Sequence, residues 1–322
     1  MLIDGLQCGH FDREVFQQLQ QANVGCITVT CGFWEDTTES LDSLARWRDL
    51  VAENADVVGT ARTAAEIREI AASGRVAILL GFQNSELLQG RIRYVEFFAE
   101  LGVRVIQLTY NNQNSLGGSC YEQEDSGLAR FGREVVHEMN RTGILVDLSH
   151  VGNRTTLDTI RWSKKPVAVT HANADRLFPH KRNKTDDVIR ALRDNGGIIG
   201  CATYRNITGD EYCASIEAWC RMVMQTVEIA GIDHVGIGTD RSHNFVKADY
   251  DWMRMGRWTR GVDLGASPAS RPGKAPPPDW FQTVRDIGKI EHGLRGAGFS
   301  DDEAAKVAHG NFLRVYEAVF GA

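Results

Sequence analysis

Two histidines each close a short apolar run, His150 in Leu145-Val-Asp-Leu-Ser-His and His171 in Val167-Ala-Val-Thr-His. Neutral imidazole is a good zinc ligand, and a strand end holds it rigidly. One histidine in such a place is more often a satisfied polar residue than a ligand. Two at equivalent ends of successive runs shift that balance. Asp240 closes another run, Gly236-Ile-Gly-Thr-Asp. A carboxylate there suits a metal ligand or a proton shuttle, although a helix cap or an ion pair with Arg241 would use the same residue. Arg182, in His180-Lys-Arg-Asn, carries the guanidinium fork that grips a substrate carboxylate, but solvated arginines are also common in loops.

The elements that would position these residues are legible as eight apolar, β-branched runs: Leu2–Gln7, Gly25–Thr30, Val76–Phe82, Val103–Tyr110, Ile144–His150, Val167–His171, Ile198–Tyr204 and His234–Asp240. Hydrophobicity without alternation marks strands buried on both faces. Helical patterns separate them. Gly127–Thr142 sets Leu128, Phe131, Val135, Val136 and Met139 on one stripe, with Gly143 as a stop. Thr63 with Glu66, and Ser300 with Glu303, stand at capping-box spacing. Eight strand–helix units predict an α/β fold, a (β/α)8 TIM barrel, as a single domain over residues 1–322. A doubly wound sheet is the alternative, disfavoured because no GxGxxG opens the first helix.

In a barrel, active sites lie at the C-terminal strand ends. The expected ends here are Gln7 and Cys8, Thr30 and Cys31, Gln83, Tyr110, His150, His171, Tyr204 and Asp240, so the reactive residues gather where the chemistry belongs. One stretch breaks the pattern. Residues 241–280 form a long loop with five of the chain's seven prolines, Pro268, Pro272, Pro276, Pro277 and Pro278, and with Trp252, Trp258 and Trp280. Long loops are uncommon unless functional or disordered, and three tryptophans argue against disorder. It is expected to cover the barrel mouth or a partner subunit. In Asn111–Asp125, the Gly118-Ser-Cys-Tyr-Glu stretch with Glu122, Glu124 and Asp125 either faces the pocket or caps the helix that follows, and the cap is the expectation because Asp125 and Ser126 immediately precede a helical pattern.

With 322 residues, 43% hydrophobic and 24% charged, and a net charge of -6, the composition is that of a globular domain. It gives no electrostatic reason to expect nucleic acid or acidic lipid as a partner. The seven cysteines include no CxxC pair, which points away from a zinc ribbon and toward a reducing compartment. No apolar span approaches the roughly 18 residues of a membrane helix. The expectation is a cytoplasmic enzyme with a small-molecule substrate.

Several blocks then resemble the membrane dipeptidase (renal dipeptidase) family of amidohydrolase-type barrels. They are Phe131-Gly-Arg-Glu-Val-Val-His-Glu-Met-Asn-Arg, Leu145-Val-Asp-Leu-Ser-His-Val, Thr170-His-Ala-Asn, Arg182-Asn, Gly236-Ile-Gly-Thr-Asp and Gly310-Asn-Phe-Leu-Arg-Val. The resemblance implies a zinc peptidase with two bridged metals, and a homodimer. It places His150 and His171 on the second metal, Asp240 on the proton of the attacking water and leaving amine, and Arg182 on the substrate carboxylate. The departures are specific. Where the family has a His-x-Asp pair on strand one, this chain has Leu6 and Cys8. Gln83 replaces the bridging glutamate, and Tyr110 replaces the histidine ending strand four.

Two divalent cations close together need anionic ligands between them, and those ligands are missing. The expected site is therefore one zinc on His150 and His171, with Asp240, Cys8 or Gln83 near, cleaving a dipeptide or a small N-acyl amino acid. Tyr110 would donate to the developing oxyanion. The alternatives are action on another small amino-acid derivative without dinuclear metal chemistry, with Cys8 as a conceivable nucleophile, or a non-catalytic ligand-binding role.

Overall fold

The computed structural model describes residues 1–256, 265–268, 270 and 274–321. Its strands are β1 (Leu2–Gly9), β2 (Val24–Thr30), β3 (Val58–Thr60), β4 (Val76–Phe82), β5 (Val103–Gln107), β6 (Leu145–Asp147), β7 (Ala168–Ala172), β8 (Ile198–Cys201), β9 (Val235–Ile237) and β10 (Arg241–His243). The parallel order β1-β2-β4-β5-β6-β7-β8-β9 closes on itself where Asp4 of β1 lies opposite Ile237 of β9. This is the closed eight-stranded barrel with flanking helices that the eight runs predict. Two short strands escape the periodicity argument. β3 pairs with the first half of β4, and β10 pairs with the end of β1.

Alternate residues of each strand serve two cores. In β4, Ile78, Leu80 and Phe82 pack outward against the helices, while Ala77 and Leu79 face the barrel interior. Phe312 and Tyr316, from the last helix Asn311–Phe320, belong to that interior cluster and are fully buried. Phe312 explains the small residues of the first and last strands. A Cβ on Gly5 would lie 2.5 Å from its ring, and one on Gly236 2.7 Å.

Four strands stop short of the apolar runs that contain them: β5 at Gln107, β6 at Asp147, β8 at Cys201 and β9 at Ile237. Side chains take over the hydrogen bonding at these points. Asp147 accepts from the Ser149 and Thr170 amides, each at 3.0 Å, and Asp4 accepts from the Thr239 amide at 2.8 Å. Tyr110, His150, Tyr204 and Asp240 therefore sit on the loops just past the strands.

Gly143 stops the helix Arg130–Thr142 in the left-handed region at φ 73°. The Ser300–Glu303 capping box closes as expected. At Thr63 only half of the box forms, because the Glu66 carboxylate takes the Arg62 amide instead. Asp125 corrects its expectation: it does not cap the next helix. Its carboxylate accepts from the Thr155 amide at 3.0 Å, in the first turn of the helix Asn153–Trp162. The 241–280 stretch is not a plain loop. It opens with β10 and forms a helix over Lys247–Met255. Trp258 and Pro272 lie outside the described residues.

Candidate active site

The loop after β6 and the end of β7 bring two imidazoles into contact, with His150 Nε2 lying 3.2 Å from His171 Nε2. Each ring is oriented through its other nitrogen. His150 Nδ1 lies 2.7 Å from Asn111 Oδ1, and an amide oxygen can only accept, so Nδ1 carries the hydrogen. His171 Nδ1 lies 2.8 Å from Thr170 Oγ1, while that hydroxyl donates to Asp147 Oδ2 at 2.7 Å. The hydroxyl has one hydrogen, so it accepts from His171 Nδ1. Both Nε2 atoms are left as bare lone pairs that face each other.

Two facing lone pairs repel unless a cation or a proton lies between them. A proton is disfavoured, because burial, followed by the Arg182 charge, pushes both imidazoles well below their ordinary value. A metal ion fits better. Nitrogens about 2.0–2.1 Å from a tetrahedral zinc lie roughly 3.3 Å apart, close to the spacing observed. His150 and His171 thus offer a neutral two-nitrogen seat. Among the described residues, no group of three or more His, Cys, Asp or Glu side chains is arranged to hold a metal.

Arg182 is buried and donates to the Ser149 and His171 carbonyls, the latter at 3.2 Å. No carboxylate of the described residues forms an ion pair with it. Its guanidinium has five N–H donors, and it lines a cavity of about 80 Å³ with His150, Cys8, Asn111, Tyr121, Tyr204 and Asp240. Asp240 holds a left-handed backbone at φ 57°. Asp tolerates that region better than most residues, and such outliers concentrate at functional sites. Burial raises its carboxyl to about 7, with Arg182 pulling the other way. Arg182, His150 and Asp240 therefore share one cavity, and His171 joins them through His150.

The other expected residues divide. Cys8 lines the cavity, but burial and the charges of Asp240 and Asp4 push its thiol well above its ordinary value. That is the reverse of an activated nucleophile. Tyr110 is not a lining residue. It is buried, stacks on His150 with ring centroids 4.3 Å apart, and packs with Cys8, Phe33 and Trp34. Gln83 also lies outside the lining, with its side-chain amide donating to Thr30 Oγ1 at 2.9 Å. Leu6 is buried apolar packing.

Sequence reasoning missed Asn111, Thr170 and Asp147 as the groups that orient the imidazoles. The available signal was a carboxylate, Asp147, inside an otherwise apolar run. It also left open whether the Tyr121 segment faces the pocket. Tyr121 does, and its hydroxyl is buried without a hydrogen-bond partner among the described residues.

Comparison with known proteins gives a consistent answer. The family model described as membrane dipeptidase (Peptidase family M19) matches residues 10–249. The chain is 34% identical to Dipeptidase verJ of Clonostachys rogersoniana over 193 residues, 59% of this chain and 50% of that protein. It is 33% identical to Dipeptidase tcpJ of Claviceps purpurea over 208 residues, 64% of this chain and 48% of that protein. It thus spans about half the length of the curated relatives it matches. A crystal structure of an amidohydrolase from Pseudomonas aeruginosa is 33% identical, with a TM-score of 0.93 over 100% of this chain and 97% of that one. Barrel and sequence matches agree, and the chain belongs to the membrane dipeptidase family, Peptidase family M19.

Proposed function

We propose that this chain is a zinc-dependent dipeptidase-like hydrolase that cleaves the amide bond of a dipeptide or small N-acyl amino acid. One ion would be held by His150 and His171. The observation that carries this reading is the pair of bare Nε2 lone pairs 3.2 Å apart, both held in that tautomer by hydrogen bonds behind them. The dipeptidases among its relatives support the reaction class.

When bound, zinc would lower the pKa of a water and polarise the scissile carbonyl. The remaining roles fall to the chain's own groups. Arg182 holds the substrate carboxylate through its unused N–H donors. Asp240, with a carboxyl titrating near 7, takes a proton from the attacking water at its carboxylate and returns it to the leaving nitrogen as the C–N bond breaks. The carbonyl carbon leaves as a carboxylate and the nitrogen as a free amine. Tyr110 keeps its phenol proton, since burial raises it well above its ordinary value. Outside the cavity lining, it acts through the His150 ring that it stacks on, with centroids 4.3 Å apart.

The test is zinc content and hydrolysis of a small dipeptide panel by metal-loaded protein and by His171→Ala. The reading expects about one zinc per chain, and turnover that the substitution removes. A zinc-free active protein, or unchanged turnover in His171→Ala, overturns it.

A further inference from the structure

The cavity holding Arg182 continues into a second one of about 90 Å³, and Asp240, Tyr204 and Tyr250 line both. Arg254 also lines both, so the two cavities hold several cations around the one carboxylate they share, Asp240. In the first stands Arg182, unpaired among the described residues, beside the orphaned Tyr121 hydroxyl. In the second stand Arg241 and Lys274. The Arg241 guanidinium donates to the Phe281 carbonyl at 2.9 Å and the Gln282 carbonyl at 2.7 Å, and its Nε is buried with no hydrogen-bond partner among the described residues. The Lys274 ammonium lies 5.8 Å from the Tyr250 ring centroid and forms no ion pair with a described residue. Arg205, on the same wall, shows the contrast: Asp210 at 2.9 Å and Asp279 at 2.6 Å neutralise it.

Among the described residues, Asp240 is the single carboxylate lining either cavity. The Arg182 guanidinium is withdrawn from water without an ion pair among the described residues, a cost that a bound anion relieves, while half-buried Arg241 and exposed Lys274 add attraction for an anion toward the rim. The α-ammonium of an ordinary dipeptide would find Asp240 alone, the group needed for proton transfer.

We infer that the preferred substrate is a dianionic amide. Its amino-acid carboxylate meets Arg182 and Tyr121, and its acyl group carries a second carboxylate that reaches Arg241 and Lys274 in the adjoining cavity. This specificity rests on the hydrolase reading above and narrows it from any small N-acyl amino acid or dipeptide to an acidic one.

The experiment uses the full chain loaded with zinc. It compares N-succinylglycine with N-succinamoylglycine, which differs only in replacing the distal carboxylate with an amide, and with glycylglycine. The expected result is about a tenfold higher kcat/KM for the succinyl compound, the scale of a partly desolvated charge pair. Lys274→Met should bring the ratio near one, Lys274→Arg should retain it, and added salt should shrink it. Equal rates for the two acyl compounds, or a preference for glycylglycine, would overturn the inference and leave the hydrolase reading standing. If none of the three is hydrolysed, the hydrolase reading fails, and calorimetric binding of the two acyl compounds still reads the charge preference. Equal affinities there would overturn it.

Discussion

Thr170→Val tests the tautomer argument most directly. The Thr170 hydroxyl lies 2.7 Å from Asp147 Oδ2, 2.8 Å from His171 Nδ1 and 3.1 Å from Ser149 Oγ, all of them buried. Valine fills nearly the same volume but offers neither hydrogen nor lone pair. Asp147 loses one of its four donors, and His171 Nδ1–H loses its acceptor. Two buried polar groups left unpaired cost roughly 1–3 kcal/mol each, so urea unfolding should show a loss of about 2–4 kcal/mol. The functional consequence follows from the geometry. With no acceptor at Nδ1, the His171 proton gains by moving to Nε2, where His150 Nε2 waits at 3.2 Å. That hydrogen bond occupies both lone pairs of the metal seat. Zinc affinity, measured by competition against a chromophoric chelator, should fall about 10- to 100-fold, the usual cost of removing such a supporting partner. Nitrogen NMR of the metal-free variant should show His171 protonated at Nε2. Thr170→Ser keeps the hydroxyl and should bind zinc nearly as wild type does. Unchanged zinc affinity in Thr170→Val, with the fold intact, would refute the reasoning.

Asp240→Asn should lower kcat by roughly 10²- to 10⁴-fold, as loss of a positioned acid–base group does, and should remove the limb of the pH–rate profile near 7. Its effect on stability has a definite sign. The folded carboxyl titrates near 7 against an ordinary 3.8, so its stabilising contribution is present below the unfolded value and lost as pH rises through about 7. Denaturation from pH 4 to 8 should therefore show the variant gaining on wild type as pH rises, and a constant gap would contradict this. Tyr121→Phe removes the orphaned hydroxyl from the cavity; KM should rise about tenfold, the scale of one hydrogen bond to a charged group, with kcat little moved in steady-state assays. Phe312→Ala empties the ring that fills the barrel beside Gly5 and Gly236 and should cost about 3–5 kcal/mol in urea unfolding.

The eight strands of the barrel were legible because burial on both faces leaves continuous apolar runs, the plainest pattern a sequence offers. The ends of four of them, β5, β6, β8 and β9, were not legible, because the run continues past the point where the ladder stops. Two buried carboxylates show how the site is built. Asp4 of β1 accepts from the Thr239 amide at 2.8 Å and hydroxyl at 2.5 Å, and Asp240 follows immediately. Asp147 of β6 accepts from the Thr170 amide at 3.0 Å and hydroxyl at 2.7 Å, and His171 follows immediately. The same device appears twice, on strand pairs that lie apart around the barrel. A buried carboxylate bolts the threonine that precedes a site residue on the neighbouring strand, fixing where the next side chain enters the mouth. The sequence carries its trace as an aspartate inside each of two apolar runs, Asp4 and Asp147, answered by Thr-Asp and Thr-His at the ends of two others. Periodicity alone cannot join them, because the partners are 235 and 23 residues apart, and only closure of the barrel brings them together. Tyr121 and Lys274 left no such trace, since they reach the mouth on segments without regular periodicity. The rigid half of the site is therefore written in the strands, and the half that selects the substrate is written in the loops.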